Sequence, residues 1–322
     1  MSKRTVCLVT GGAGFIGSHV AEGLLKRGNS VRILDNLSTG MMQHVQGMRG
    51  DVEFIKGDVR DAKAVDRAVR KCDYVFHLAA NRAVLQSVEA PLEAHEVNMT
   101  GTLKLLLAAS RHKIKRLIFT SSSSVYGSAK KKMLREDDLL KPESPYAATK
   151  AAGEYYCRIF SRLYGLETVS LRYFNVFGPR QNPESRYSAV IPIFIETVLK
   201  GKSPEIHWDG KQSRDFHYVD SVVEANLLAM RARGVSGEAF NIGSQKEYSV
   251  NHIFNAIKKI LNRPSIKPVY KPKRPGDVRR TLADISKARR LLGYRLQTEF
   301  EPGLKQTVDW FVQTGSFKGG MR

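Results

Sequence analysis

Tyr146 and Lys150 are spaced so that both could act on one proton. They stand four positions apart in SPYAATKAAGE, residues 144–154, and would share one face of a helix there. A tyrosine hydroxyl, with a pKa near ~10, is a poor base at neutral pH. Because a nearby positive charge favours the phenolate, we predict that Lys150 lowers the pKa of Tyr146. Such a phenolate can take the proton of an alcohol.

A run of serines ends the strand that precedes this helix. The apolar pattern KRLIFT, residues 115–120, predicts a buried strand, and SSSSVYG, residues 121–127, follows it. Ligands of open α/β sheets bind beyond the carboxyl ends of the strands. The run therefore delivers hydroxyl groups to the place where a bound substrate would react.

A glycine-rich turn lies between the first predicted strand and the first predicted helix. In TGGAGFIGSH, Gly11, Gly14 and Gly17 allow a tight turn, the approach of a pyrophosphate and close packing of the helix on the strand. The N-terminus of that helix offers free N–H groups to the phosphates. Because this motif has the strand and the helix that it requires on either side, we predict a dinucleotide site.

Two acidic residues refine the prediction of the cofactor. Asp35 ends the second predicted strand, where a carboxylate accepts both ribose hydroxyls of NAD and repels the 2′-phosphate of NADP. Asp58, in GDVRD, ends the third strand and could reach the adenine amine, or it could cap the next helix. The predicted cofactor is NAD, whose positive nicotinamide ring would also lower the pKa of Tyr146. We predict no metal site.

Strands and helices alternate along the first half of the chain. The strands are rich in Val, Ile, Leu and Phe with little alternation, as in sheets that are buried on both faces. This order predicts an α/β fold, a Rossmann doubly wound parallel sheet with a smaller α/β C-terminal lobe. We predict an NAD-binding domain over residues 1–175, to which about residues 216–262 return, and a smaller lobe over most of residues 176–322. The predicted strands span residues 5–10, 30–35, 52–58, 74–80, 116–122, 167–173 and 238–242, and the predicted helices span residues 15–27, 61–71, 91–112, 145–164, 189–200, 219–233 and 249–261.

Composition and charge limit the classes of function. The 322 residues carry 52 Lys and Arg against 31 Asp and Glu, a net charge of +21. The basic residues are spread out without an aromatic-interleaved stripe, so we favour a solvated basic surface and predict no specific nucleic-acid binding. No apolar run approaches the ~20 residues of a membrane span, and the N-terminus does not resemble a signal peptide. With three separated cysteines that we expect to be reduced, these features predict a cytoplasmic protein without membrane insertion.

Short motifs are spread over nearly the whole chain. They are TGGAGFIGSH, the terminal Asp35, HLAA, the serine strand and YAATK, followed in the second lobe by LRYFNVFGPRQ, SRDFHYVD, FNIGS and RPGD. Together they resemble the extended short-chain dehydrogenase/reductase family of nucleotide-sugar enzymes, and they look most like its UDP-hexose 4-epimerases. The resemblance implies a UDP-sugar substrate that binds beside NAD, and it makes most of residues 176–322 a nucleotide-sugar-binding lobe.

The resemblance also implies roles by position. Tyr146 would be the base, Lys150 its helper, and Ser122 the hydroxyl between sugar and tyrosine, with Ser124 a less favoured second hydroxyl. The implied NAD contacts are Gly11, Gly14, Phe15, Ile16, Gly17, Asp35, Asn36, Asp58, Val59, Leu78, Ala79, Ala80, Arg82, Asn98, Tyr146, Lys150 and Tyr173. The implied substrate contacts are Ser122, Tyr146, Asn175, Ala189, Val190, Phe194, Ile206, His207, Arg214, Arg274 and Asp277. The two arginines in this second set offer guanidinium forks for a diphosphate.

The residues after Ser122 bear on the type of reaction. Relatives that dehydrate or decarboxylate the sugar carry acids there, whereas this chain has Ser123 and Ser124. The resemblance therefore implies an isomerase that oxidises C4, lets the 4-keto sugar turn about its diphosphate link, and reduces the other face. The predicted substrates are UDP-glucose and UDP-galactose. Thr281 stands where related enzymes carry a bulky Tyr, which adds the N-acetylated pair as a candidate, and Trp208 in HWDG departs from the glycine that is common there.

Other functions stay open at this point. Among enzymes they are a UDP-glucuronate 4-epimerase, or a dehydratase or decarboxylase of another nucleotide sugar. A protein without enzymatic activity could be an NAD-binding regulator, although such proteins typically lose the Tyr–Lys pair. A basic nucleic-acid-binding protein is the second alternative of this kind.

The predicted helices 91–112 and 145–164 carry apolar residues beyond a single stripe, in LKLLLAA and YYCRIF. On one face of a doubly wound sheet these helices would lie side by side. A second subunit that covers them would form a homodimer with a four-helix interface, as in similar enzymes. The alternative is that the C-terminal lobe of the same chain covers them.

Overall fold

Strands lie at regular intervals in the first half of the chain and less regularly in the second. The structure is a computed structural model that describes residues 4–82, 84–128, 131–183, 189–273 and 278–314. The strands are β1 (Val6–Thr10), β2 (Ser30–Asp35), β3 (Val52–Lys56), β4 (Tyr74–His77), β5 (Arg116–Ser122), β6 (Glu167–Tyr173), β7 (Asn175–Phe177), β8 (Glu205–His207), β9 (Ser213–Tyr218), β10 (Glu238–Ile242), β11 (Glu247–Ser249), β12 (Val269–Lys271) and β13 (Arg280–Thr281).

Helices connect these strands throughout the chain. They are α1 (Phe15–Lys26), α2 (Met42–Gln46), α3 (Ala62–Val69), α4 (Val84–Glu89), α5 (Pro91–His95), α6 (Gly101–Arg111), α7 (Pro145–Leu163), α8 (Val190–Leu199), α9 (Val219–Arg231), α10 (Val250–Ile260), α11 (Ser286–Leu292) and α12 (Phe300–Thr314). Within the described ranges, no helix is both long enough and apolar enough to span a membrane.

Seven parallel strands form the main sheet, in the order β10-β6-β5-β4-β1-β2-β3. The order reverses between β1 and β4, as in doubly wound dinucleotide-binding sheets. Inner strands are buried on both faces: Leu8 and Val9 of β1 and Val75 and Phe76 of β4 are all inaccessible. This explains their continuous apolar sequences and confirms the predicted Rossmann-type α/β fold.

Two helical layers cover this sheet. On one face α1 and α9 pack through a core that includes Val20 and Leu24. On the other face α3, α6 and α7 pack around side chains such as Leu105 and Phe160. Because all seven strands run the same way, the glycine turn, Asp35 and Ser122 meet at one edge of the sheet.

Gly153 lets α7 approach β5 closely. A Cβ atom at this position would lie 2.4 Å from Cζ of Phe119, well inside van der Waals contact. The short distance between helix and strand brings the N-terminal half of α7 to the carboxyl end of β5. Ser144 caps that helix by accepting a hydrogen bond from the N–H of Ala147, and Pro145 occupies its first turn.

The predicted helix over residues 91–112 contains a π-helical turn. It consists of α5, the π-helical residues Glu96–Thr100 and α6, which continue one another with helical backbone angles at His95 and Thr100. Such turns occur frequently at functional sites because they redirect one side chain. Here the turn carries Asn98.

The second lobe has its own core and small sheets. β7, β9, β11 and β13 form one sheet, β8 and β12 form another, and α8, α10 and α12 pack around aromatic residues such as Phe194, Phe254 and Phe311. Of the predicted returning segment, residues 216–262, strand β10 belongs to the main sheet and helix α9 packs against that sheet. β11 and α10 lie instead in the second lobe.

Candidate active site

A cavity of about 830 Å³ lies at the carboxyl edge of the main sheet, between the two lobes. Residues from both lobes form its walls. Most of the predicted site residues line it: Gly11, Gly14, Phe15, Ile16, Gly17, Asp35, Asn36, Asp58, Val59, Leu78, Ala79, Ala80, Arg82, Ser122, Tyr146, Lys150, Tyr173, Asn175, Ala189 and Arg214. Residues that the sequence separates by up to about 200 positions therefore face one space.

Some predicted site residues do not line this cavity. Phe194 and Ile206 are buried in the core of the second lobe, and Val190 packs against that core. The His207 ring donates from Nδ1 to the carbonyl of Pro272, 3.1 Å away, and Asn98 lies behind the wall. The predicted ligands Arg274 and Asp277 lie outside the described residues.

The glycine turn forms a cradle that no larger residue could form. A Cβ atom on Gly17 would lie 2.1 Å from the carbonyl oxygen of Gly11, so only glycine allows α1 to begin there. Gly11 has a φ of +71°, and a Cβ atom on it would lie 2.8 Å from the backbone nitrogen of Ala79. The N-terminus of α1 therefore faces the cavity at close range, which fits the pyrophosphate of a dinucleotide.

Tyr146, Ser122 and Lys150 meet where β5 ends beside α7. The Ser122 hydroxyl hydrogen-bonds the Tyr146 phenol, and it also accepts a hydrogen bond from the N–H of Ser124, 3.2 Å away. The Lys150 ammonium donates to the carbonyl of Thr120 at 2.8 Å and lies 5.8 Å from the centre of the Tyr146 ring. The arrangement can pass a proton between a bound alcohol and the phenol.

The pKa of Tyr146 differs from the prediction in direction. Burial raises this pKa above its ordinary value, while the hydrogen bond from Ser122 and the positive charge of Arg82 lower it by less. Lys150 is turned towards the carbonyl of Thr120, and burial lowers its own pKa to about 8. Lowering the pKa of the phenol thus depends on Ser122 and on positive charge within the cavity.

A sequence profile of the NAD dependent epimerase/dehydratase family matches residues 7–243, which is most of the chain and includes the glycine cradle, Ser122, Tyr146 and Lys150. The chain belongs to this family. A putative UDP-glucose 4-epimerase of Methanocaldococcus jannaschii is 40% identical over 306 residues, which cover 94% of this chain and 97% of that protein. A UDP-N-acetyl-alpha-D-glucosaminuronate decarboxylase of Bacillus cytotoxicus is 37% identical over 322 residues, with 97% and 98% coverage.

A solved structure of the family has nearly the same fold as this chain. It is the UDP-N-acetylglucosamine 4-epimerase of Methanobrevibacter ruminantium M1 in complex with UDP-N-acetylmuramic acid. It superposes with a TM-score of 0.92 at 41% identity and covers 98% of this chain and 100% of its own. The chain is therefore an NAD-dependent enzyme of the epimerase/dehydratase family.

The site fits the NAD that the family uses. The carboxylate of Asp35 accepts from the N–H groups of Ala13 and Leu37, at 2.9 and 2.8 Å, which fixes it at the cavity wall. Burial raises the pKa of Asp35, and the same two N–H groups lower it by less. A carboxylate fixed there suits the hydroxyls of an adenosine ribose, as the sequence predicted.

Asp58 lies at the same end of the cavity and is fully engaged by its neighbours. Its oxygens accept hydrogen bonds from Asn36 at 2.8 Å and from both Nε and Nη2 of Arg60. The hydrogen bonds from Arg60 hold the pKa of Asp58 well below its usual range. Asp58 is therefore a charged acceptor, and it lies outside α3, whose N-terminus is capped by Asp61.

A buried chain of hydrogen bonds lies behind the cradle that the glycine turn forms. The sequence analysis missed this chain. The ring of His77 lies 2.8 Å from the Thr10 hydroxyl and 2.9 Å from that of Thr102, which donates to the carbonyl of Asn98. Burial lowers the pKa of His77 to about 3, so the ring is neutral. Asn98 in turn holds both the N–H and the carbonyl of Asn81, next to Arg82.

Proposed function

We propose that this family member is a UDP-hexose 4-epimerase that interconverts UDP-glucose and UDP-galactose. The observation that carries this proposal is that Tyr146 and Ser122 meet at the end of β5. The two residues after Ser122, Ser123 and Ser124, also line the cavity, and they bring hydroxyls there rather than carboxylates. A dehydratase needs a general acid and base beside the reacting carbon. The nearby carboxylate of Glu143 is instead engaged by Ser128. It accepts hydrogen bonds from the N–H and the hydroxyl of that residue, and these hydrogen bonds lower its pKa and favour its ionised form.

The residues of the chain divide the work of such a reaction. NAD, when bound, would supply the redox chemistry, as acceptor and then donor of the C4 hydride. Tyr146 takes the proton of the C4 hydroxyl through Ser122 and gives it back after the sugar has turned. The guanidinium of Arg214, at the cavity wall, is suited to hold the diphosphate while the hexose moves.

The N-acetylated pair, UDP-N-acetylglucosamine and UDP-N-acetylgalactosamine, is a second candidate. Thr281 lines the cavity with a side chain much smaller than the tyrosine of related enzymes, which leaves room for an added acetyl group. Among the described residues, neither the Thr281 hydroxyl nor that of Ser124 has a hydrogen-bond partner. Unpaired buried hydroxyls at this end of the cavity are compatible with a polar ligand or with an ordered water.

The test is incubation of the protein with UDP-glucose, UDP-N-acetylglucosamine or UDP-glucuronate, with and without added NAD. Proton NMR of the anomeric signals follows each reaction. We expect conversion of UDP-glucose to UDP-galactose, with the N-acetylated sugar converted at a comparable or lower rate. Turnover of UDP-glucuronate alone, or a product that has lost water or carbon dioxide, would refute the proposed substrate.

We also infer that two copies of the chain form a homodimer through α6 and α7. These helices pack side by side on one face of the sheet. The described part of the C-terminal lobe leaves their outer surface exposed, including large apolar residues of α5–α7: Leu92, Leu107, Tyr155, Ile159 and Leu163. A second copy would cover this patch and bury it in a four-helix interface.

Replacing Ile159 by glutamate should separate the dimer. A charge placed in an apolar interface without a partner costs about 3–5 kcal/mol, so the dissociation constant should rise at least about 100-fold. Analytical ultracentrifugation at micromolar concentration measures this change. The control is Leu139→Glu, because Leu139 is also apolar and even more exposed than Ile159 but lies in a loop that precedes α7. A dimer that survives Ile159→Glu, or a monomeric starting protein, would contradict the inference.

A further inference from the structure

A buried ion pair lies directly behind the serine run. Glu154 of α7 and Arg172 of β6 are only 8% and 4% exposed. Their contact is bidentate: Nε of Arg172 lies 2.9 Å from Oε1 of Glu154, and Nη2 lies 2.7 Å from Oε2. Neither residue lines the cavity, so neither can touch the substrate or the cofactor there.

This pair holds both ends of residues 121–126, the end of β5 and the 3-10 turn Ser123–Tyr126 after it, which together we call the serine turn. At one end the hydroxyl of Ser121 donates to Glu154. At the other end Nη1 of Arg172 donates to the hydroxyl of Tyr126 at 2.7 Å, and that hydroxyl donates to Asn241 of β10 at 2.7 Å. Ser122 thus lies between two side chains that are fixed to the same ion pair.

The same pair also fixes the helix that presents the phenol. Tyr146, Lys150 and Glu154 follow one another at intervals of four residues along one face of α7. Tyr146 meets Ser122, Lys150 meets the carbonyl of Thr120, and Glu154 meets Ser121. Each of the last three residues of β5 therefore contacts a side chain from one of three successive turns of α7.

Stability alone gives little reason for such a pair. Removing two charges from water costs about as much as their attraction returns, and well-packed apolar residues often serve as well or better. A bidentate Arg–carboxylate contact does, however, impose one geometry on the elements that carry it. Apart from each other, the two side chains hydrogen-bond Ser121 and Tyr126, which flank the serine turn, and the carbonyl of Glu136.

We propose that Glu154 and Arg172 are positioning residues that hold the Ser122 hydroxyl within hydrogen-bonding reach of the Tyr146 phenol. The proposal deepens the proposed function, because it takes Tyr146 as the base. Its consequence is specific: when the turn relaxes, the phenol loses the hydrogen bond that lowers its pKa. The chemical step then slows at neutral pH, while nucleotide binding is unaffected.

The experiment uses two variants of the NAD-loaded protein. Glu154→Leu combined with Arg172→Met removes both charges and keeps the volume, which buried pairs of this kind often tolerate. Tyr126→Phe removes one hydroxyl and leaves the ion pair intact. The matched control, Lys305→Met with Asp309→Leu, removes an exposed ion pair on α12 that lies far from the turn.

Two readouts separate positioning from general damage. The pKa of Tyr146 is measured from phenolate absorbance, as the difference between each protein and the same protein with Tyr146→Phe, which requires no turnover. Steady-state kinetics with the UDP-sugar give kcat and KM separately. In both variants we expect the pKa of Tyr146 to rise and kcat at pH 7 to fall about tenfold, with KM unchanged. In a Ser122→Ala background the same changes should have no further effect.

Each outcome decides the proposal. It is overturned if the pKa of Tyr146 stays that of the parent protein in the folded double variant or in Tyr126→Phe. It is also overturned if the loss of kcat persists undiminished in the Ser122→Ala background. Should the double variant fail to fold, Tyr126→Phe decides alone. Absence of turnover in the parent protein would refute the proposed function, and the absorbance readout would still test the positioning role.

Discussion

Replacing Tyr146 by phenylalanine should lower kcat by about 10²- to 10⁴-fold, the usual contribution of a positioned proton-transfer group. The substitution removes one hydroxyl, whose partner within the protein is Ser122, and it keeps the ring that fills the cavity wall. NAD content and the affinity for UDP should therefore stay near those of the parent protein. Quantified cofactor release and NMR of the anomeric protons measure the two effects.

Tyr156→Phe is the matched control for this prediction. Tyr156 lies on the same helix, ten residues further on, and packs half-buried against the core that α7 shares with α3, α6 and the sheet. Losing its hydroxyl should leave kcat within about twofold, since surface and rim substitutions usually have small effects. If Tyr146→Phe turned over the sugar within about threefold of the parent rate, another group would have to be the base.

Local patterns made most of the Rossmann fold predictable. β1 and the turn after it are contiguous in sequence, so the strand, the glycines and the start of α1 could be recognised together. The spacing of Tyr146 and Lys150 is likewise a property of one helix. Ser122 needed the added argument that parallel strands end at the same edge of a sheet, and in the structure it lines the same cavity as both.

The parts that were missed depend on pairs that are distant in sequence. Arg172 and Glu154 lie 18 residues apart, and Tyr126 bonds Asn241 across 115 residues. Neither periodicity nor turn chemistry reports such contacts, because each residue alone is compatible with an exposed position. The pKa of Tyr146 was missed for the same reason: it is set by burial in the assembled cavity as well as by a neighbour on its own helix.

Replacing Gly17 by alanine should weaken NAD binding strongly. The new methyl group would lie 2.1 Å from the carbonyl oxygen of Gly11 and 2.9 Å from Cα of Gly12, and all of these neighbours are backbone atoms. The glycine turn must therefore move away from α1, which removes the N–H groups that would bind the pyrophosphate. We expect the affinity for NADH, titrated by fluorescence, to fall at least about 100-fold, because such a loss equals about two charge-assisted hydrogen bonds.

Gly47→Ala tests whether the effect comes from close packing or from the loss of a flexible residue. Gly47 ends α2 with a φ of −78°, which any residue adopts, and an added Cβ atom would lie 3.6 Å from the carbonyl of Gln43, in ordinary contact. Both variants reduce the freedom of the unfolded chain by the same amount. If close packing is the cause, NADH affinity should fall in Gly17→Ala and stay within about twofold in Gly47→Ala. Equal affinities in the two variants would mean that the cofactor does not bind over the N-terminus of α1.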